Sequence, residues 1–313
     1  MQVKTQYPTD NLLIPQPLQP GDLLRVIAPS GALREFEALQ HGVEIWRSRG
    51  YRVEVIPEIE DRWGYLAGND KNRRNHLAAA WKDPECRGIL CARGGFGTTR
   101  ILEEWTWMLQ TQETPNAYSP KWLIGFSDIT ALLWSLYKAG ICGVHAPVMT
   151  TVANEPAWSI QRLFDLVEGK PLESLKGKGW GGGTVSGRLL PANLTVATHL
   201  LGTPMQPKLD GAILAIEDVG EAPYRIDRML TQWRMSGALI KIAGVAIGSF
   251  TSCEAPKNIP SFTVEEVLRD RLDDLGIPVV SHLPFGHEAP NAALPVGVMA
   301  TLDADEGVLS VNS

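Results

Sequence analysis

"KWLIGFSDITALLWSLYKAG", residues 121–140, sets two different apolar patterns on either side of a serine and an aspartate. Its first part, through Gly125, is an apolar run that stops at a glycine, as a buried strand does. Its last part places apolar residues at the 3.6-residue spacing of a helix and ends on Gly140, a glycine C-cap. Ser127 and Asp128 stand between the two, so the local order is strand, sharp turn, hydroxyl, helix. A hydroxyl at such a turn points away from the sheet, and the N–H groups that open the helix stabilise negative charge. Two roles fit Ser127 at this point: a nucleophile, or a cap on the following helix.

The same alternation extends upstream. "DLLRVIAPSG" is a strand closed by a turn, and "EFEALQHGVEIWRSRG" is a helix ending on Gly50. "YRVEVIPEI", "DKNRRNHLAAAWKDPE", "CRGILCARGG" and "TTRILEEWTWMLQ" continue as strand, helix, strand and helix. Repeated βα units predict a parallel sheet covered on both faces. The helix "AWSIQRLFDLVEG" closes a first domain, residues 1–170, and the glycine- and lysine-rich 171–187 reads as a linker or mobile loop. Residues 188–313 form a second, β-rich domain with helical stretches at 192–201, 224–236 and 263–275. "ATLDADEGVLSVN" reads as its terminal hairpin.

The 313 residues, 44% of them hydrophobic, suffice for two cores. With 29 basic against 35 acidic residues and no long basic run, the chain lacks the footprint of a nucleic-acid binder. The polar, proline-rich "MQVKTQYPTDNLLIPQPLQPGD" does not read as a signal peptide, and no apolar run approaches membrane-spanning length. The expectation is a cytoplasmic protein with no membrane partner. Cys86, Cys91, Cys142 and Cys253 lack CxxC spacing, which predicts buried thiols rather than disulfides or a metal site.

Three clusters carry candidate chemistry. In "CARGGFGTT", Gly94 and Gly95 follow a strand, where a parallel sheet gathers its ligands, and they let N–H groups approach an anion. The loop lacks the G-x-G-x-x-G spacing of a dinucleotide site, so no cofactor is expected. In "LAIEDVGEAPYRIDRMLTQW", Glu217 and Asp218 end an apolar strand, where a carboxylate needs a partner: a histidine, or an arginine such as Arg225 or Arg228. In "HLPFGHEAPNAALPVG", His287 sits on a proline-rich loop, with His145 and His282 as rivals. Ser127, Glu217 and His287 are the components of nucleophilic acyl transfer.

These segments, with "LLGTP" and "LPVG", resemble the LD-carboxypeptidases, a family that includes murein tetrapeptide carboxypeptidases and microcin C self-immunity peptidases. The resemblance spans nearly the whole chain. It implies a metal-free serine peptidase with Ser127 as nucleophile, Glu217 as orienting acid and His287 as general base. It further implies an oxyanion hole of backbone N–H groups at Gly95 and Asp128. The implied fold is α/β: a flavodoxin-like, class I amidotransferase-like parallel-sheet domain followed by a smaller barrel-like domain, in a homodimer. The expected activity is release of D-alanine from murein tetrapeptide in peptidoglycan recycling. One departure is Pro191-Ala192, where the family carries a glycine pair, and it bears on substrate preference. The alternatives are a microcin-type peptidase acting on an aminoacyl-nucleotide conjugate, with Trp180 stacking on the base, and a non-catalytic small-molecule binder.

Overall fold

In the computed structural model, residues 12–107 and 119–312 are described. Strands β1 (Leu23–Ile27), β2 (Arg52–Val55), β3 (Cys86–Cys91), β4 (Trp122–Gly125) and β5 (Val144–His145) alternate with helices. The helices are α1 (Phe36–Ser48), α2 (Asp70–Lys82), α3 (Thr98–Leu102), α4 (Thr130–Lys138) and α5 (Ala157–Val167). The remaining strands are β6 (Leu175–Lys176), β7 (Lys178–Trp180), β8 (Thr184–Asn193), β9 (Ile213–Val219), β10 (Gly244–Thr251), β11 (Val279–Ser281), β12 (Leu294–Pro295), β13 (Met299–Asp303) and β14 (Val308–Val311). Among them run α6 (Leu194–Leu200), α7 (Pro223–Met235) and α8 (Val264–Leu272).

The first sheet has the order β12-β5-β4-β3-β1-β2. Its sequential strands are parallel in the flavodoxin-like order, and β12 adds an antiparallel edge. All four residues of β4 are buried, as befits a strand with neighbours on both sides and helices on both faces. The loops after β1, β3 and β4 therefore emerge side by side at the carboxyl edge, next to the point where the winding reverses.

The second sheet, β6-β14-β13-β8-β9-β10-β11-β7, curls into a nearly closed barrel. Its centre is itself wound as parallel βαβ units, β8 through β11 with α6, α7 and α8 as crossovers, a regularity hidden in the sequence by short apolar runs. The terminal hairpin is β13–β14, with Leu302 opposite Leu309.

Two local expectations are corrected. The helix read over "TTRILEEWTWMLQ" stops at Leu102, and residues 108–110 lie outside the described residues. The stretch 171–187, read as a linker, supplies β6 and β7, the two end strands of the barrel sheet. Its glycines serve close approach: a Cβ on Gly179 would lie 1.8 Å from the Ala304 carbonyl oxygen, and one on Gly177 2.2 Å from that of Ser281. Residues 1–11 of the proline-rich lead also lie outside the described residues.

Helix α4 joins the two sheets. From Thr130 to Tyr137 every side chain is buried, the pattern of a helix surrounded on all sides. Trp134 donates through its indole N–H to the Pro191 carbonyl at 3.0 Å and meets Trp233 edge-on at 6.4 Å. Gly179→Ala should therefore disrupt the barrel seam, costing about 1–3 kcal/mol of stability by overpacking; denaturant unfolding measures it, and an unchanged midpoint contradicts this account of the seam.

Candidate active site

Ser127 leaves β4 at φ 63°, a left-handed backbone that a residue with a Cβ adopts at a cost of roughly 1–2 kcal/mol. The buried neighbours Asp128 and Ile129 hold it there and lead through one 3-10 turn into α4. The glycine loop after β3 presses on this turn. A Cβ on Gly94 would stand 2.9 Å from Ser127 Cβ and 3.0 Å from its Oγ, so no larger residue fits beside the hydroxyl.

His287, on the loop between β11 and β12, reaches Ser127 Oγ with Nε2 at 3.1 Å. Its Nδ1 lies 2.6 Å from Glu217 Oε2 at the end of β9. An ionised Glu217 accepts the Nδ1 proton, which leaves the Nε2 lone pair facing the serine hydroxyl. Glu217 is wholly buried, and burial raises its carboxyl above the ordinary 4.5, opposed by the bond to His287. The Phe126 ring, 4.7 Å from the imidazole, walls one side. Three side chains separated by 90 and 70 positions along the chain thus form one hydrogen-bonded line.

The chain is similar to known proteins over most of its length. Residues 24–146 match the LD-carboxypeptidase N-terminal domain, and residues 186–302 match the LD-carboxypeptidase C-terminal domain. The chain belongs to the LD-carboxypeptidase family. It is 57% identical, over 96% of its length and 97% of the relative's, to a Synechocystis sp. protein that bears a carboxypeptidase name. It is 32% identical to the murein tetrapeptide carboxypeptidase of Pseudomonas aeruginosa, covering 93% of this chain and 96% of that one. The crystal structure of muramoyltetrapeptide carboxypeptidase from Oxalobacter formigenes superposes with a TM-score of 0.81 at 29% identity, over 93% of this chain and 99% of that one. The microcin C7 self-immunity protein MccF shares the fold, with a TM-score of 0.83 at 20% identity over 96% and 98% of the two chains.

In this LD-carboxypeptidase the carboxylate beside the serine is a further organising group. Asp128 Oδ2 accepts from Ser30 Oγ at 2.6 Å and from the Thr98 N–H at 3.0 Å, while Thr98 Oγ1 donates to the Asp128 carbonyl at 2.6 Å. The Gly31 N–H donates to the Gly94 carbonyl at 3.2 Å. The glycine loop, including Gly95 at φ 118°, is thereby tied at both ends to its neighbours. Burial raises the Asp128 carboxyl, and the bonds from Ser30 and Thr98 oppose that. Sequence reasoning named only the backbone of Asp128; an acid set between an apolar strand and an apolar helix was the available signal that its side chain also has partners.

The rival side chains lie elsewhere. His145 is wholly buried between Phe126 and Phe285, both ring nitrogens lack partners among the described residues, and burial brings its pKa down to about 3. His282 faces Ser281 Oγ at 3.0 Å, and that hydroxyl donates to the Lys178 carbonyl. Arg225 pairs with Glu221, and Arg228 lies over the Tyr224 ring, so neither partners Glu217. Pro191 and Ala192 are buried in β8, opposite Ala215 and Ile216. Trp180 is in β7 with the Arg269 guanidinium 4.6 Å above its ring. All four cysteines are free and buried. Among the described residues no group of three or more His, Cys, Asp or Glu is placed to hold a metal, and no helix is long and apolar enough to cross a membrane.

The raised Glu217 carboxyl has a thermodynamic consequence. A group whose folded pKa exceeds its unfolded one favours folding when protonated and opposes it increasingly as pH rises through that interval. Glu217→Gln should accordingly melt higher than wild type at neutral pH, with a gain that shrinks on acidification to the ordinary carboxylate range. Thermal melts across pH check this, and an advantage that grows at low pH contradicts it.

Proposed function

We propose that this LD-carboxypeptidase is a serine-type enzyme that releases the terminal D-alanine of a murein tetrapeptide, cutting the bond between diaminopimelate and D-alanine. The observation that carries the reading is the continuous line from Ser127 Oγ through His287 to Glu217 Oε2, at 3.1 and 2.6 Å. His287 Nε2 takes the hydroxyl proton as Ser127 Oγ attacks the scissile carbonyl. The N–H groups of Gly95 and Asp128 receive the developing oxyanion. Collapse of the tetrahedral species expels D-alanine, whose amine takes the proton from His287, and water then releases the tripeptide by the same steps in reverse order. Glu217 keeps the proton on Nδ1 and stabilises the imidazolium. The name and full-length match of the Pseudomonas aeruginosa relative support the substrate. A cytoplasmic homodimer acting in peptidoglycan recycling completes the proposal.

Ser127→Ala and His287→Ala should each reduce turnover by roughly 10^4-fold or more, and the double variant should be little worse, because such groups act as a unit. Glu217→Gln should be less damaging. Additive losses in the double variant contradict the relay. A chelator should leave activity unchanged, since no step of the relay calls on a metal.

Mass analysis after incubation should show tetrapeptide converted to tripeptide, with the pentapeptide precursor and an all-L analogue left intact. Equal turnover of either analogue contradicts the L,D specificity, and preferential cleavage of an aminoacyl-nucleotide conjugate would replace the substrate class.

A further inference from the structure

Three large aromatic side chains stand open to solvent on the edge of this site. Trp63 is 53% exposed, Tyr65 61% and Phe96 47%, although aromatic rings of this size ordinarily bury most of their surface. Tyr65 and Phe96 pack on each other, with ring centres 5.9 Å apart and planes tilted by 55°. Trp63 carries the Arg100 guanidinium 5.5 Å above its ring, and Asp70 fixes that guanidinium in turn. Each ring thus has a neighbour that restrains it while it still exposes apolar surface, an arrangement that marks a binding face.

Their connection to Ser127 is short and made of backbone. Phe96 follows Gly95 directly, and Gly94 abuts Ser127. Leu66 bridges to Gly31, the Ala32 N–H donates to the Tyr65 carbonyl at 2.9 Å, and Gly31 binds Gly94. The loops bearing Trp63, Tyr65 and Phe96 are thus layered on the glycine loop that borders the hydroxyl. Two residues of extended chain cover at most about 7 Å, so Phe96 stands within a few residues' reach of Ser127.

We propose that Trp63, Tyr65 and Phe96 form a platform for a sugar ring attached to the peptide substrate, on the reading that the enzyme is a murein carboxypeptidase. In a muramoyl peptide the sugar is joined to the amino end of the peptide, three amino acids before the scissile carbonyl. An extended segment of that length reaches roughly 10 Å, which suits a platform on the rim rather than in the site. A pyranose presents one face of C–H groups, which packs on an aromatic face and its negative π cloud. The tilted Tyr65–Phe96 pair offers such faces, and the tyrosine hydroxyl can bond to ring substituents. The platform would make the enzyme prefer peptides that still carry their sugar.

The test compares kcat/KM for muramoyl tetrapeptide with that for the free tetrapeptide, using the full chain and its Tyr65→Ala and Phe96→Ala variants. Wild type should prefer the sugar-bearing substrate, and each variant should lower the ratio about tenfold, the scale of one aromatic contact. The sugar-proton signals of muramoyl tetrapeptide in saturation-transfer NMR should weaken when Tyr65→Ala is added to Ser127→Ala, a readout independent of turnover. A wild-type ratio near one, or a ratio that both variants preserve, overturns the platform while leaving the carboxypeptidase reading intact. Sedimentation showing that the variants convert a dimer to a monomer with the ratio preserved would assign the face to a contact between copies instead. Failure of wild type to cleave either peptide would overturn the carboxypeptidase reading, and this inference with it.

Discussion

A buried carboxylate next to the serine holds the site together. Asp128 takes hydrogen bonds from Ser30, on the loop after β1, and from Thr98, at the start of α3, while its own backbone belongs to the turn after β4. Three loops that the parallel sheet merely delivers to one edge are thereby joined at a single side chain. Burial raises that carboxyl and the hydrogen bonds from Ser30 and Thr98 oppose only part of the rise, so the loss of any one partner leaves a buried acid less well satisfied. The left-handed Ser127 and the close approach of Gly94 are tolerated because this clamp over-determines them.

The second constraint is α4. Because this helix is buried all round, the sheet that carries Ser127 and the barrel that carries Glu217 pack on the same element. The short span from the serine turn to the helix leaves little freedom between the two bodies of structure. Asn193 extends the coupling: its N–H donates to Thr130 Oγ1 at 3.0 Å, and its side chain to Asp218 Oδ1 at 2.9 Å. The proposed relay depends on such links, since a displacement of about 1 Å in a catalytic group is enough to slow a reaction a hundredfold.

Local stability is given up at several points around the serine. A residue with a Cβ occupies left-handed backbone, a wholly buried glutamate has its carboxyl raised by desolvation, and a buried histidine has no partner for either ring nitrogen among the described residues. Each runs against what folding alone favours. Other such features occur singly elsewhere, as at Ser252 and Arg73, but here three of them fall in the neighbourhood of one serine.

The repeating strand–helix pattern of the first half was legible because apolar periodicity and glycine caps are local properties, and both survive in the flavodoxin-like order. Ser127, Glu217 and His287 were legible as chemistry-bearing groups at the ends of apolar runs, and the family motifs linked them. Periodicity failed at 171–187, where glycine signals either mobility or close contact; the Ala304 carbonyl, more than a hundred positions away, determines which. It failed again over the parallel centre of the barrel sheet, whose short strands resemble those of any β-rich region. That His287, and not His145 or His282, hydrogen-bonds to Ser127 and Glu217, that Asp128 clamps three loops and that the aromatic rim is exposed are all products of tertiary structure. Residue type and spacing specify which groups are present and what each can do, but hydrogen bonds and steric exclusion act over a few ångströms, and only the folded chain brings distant residues to that range.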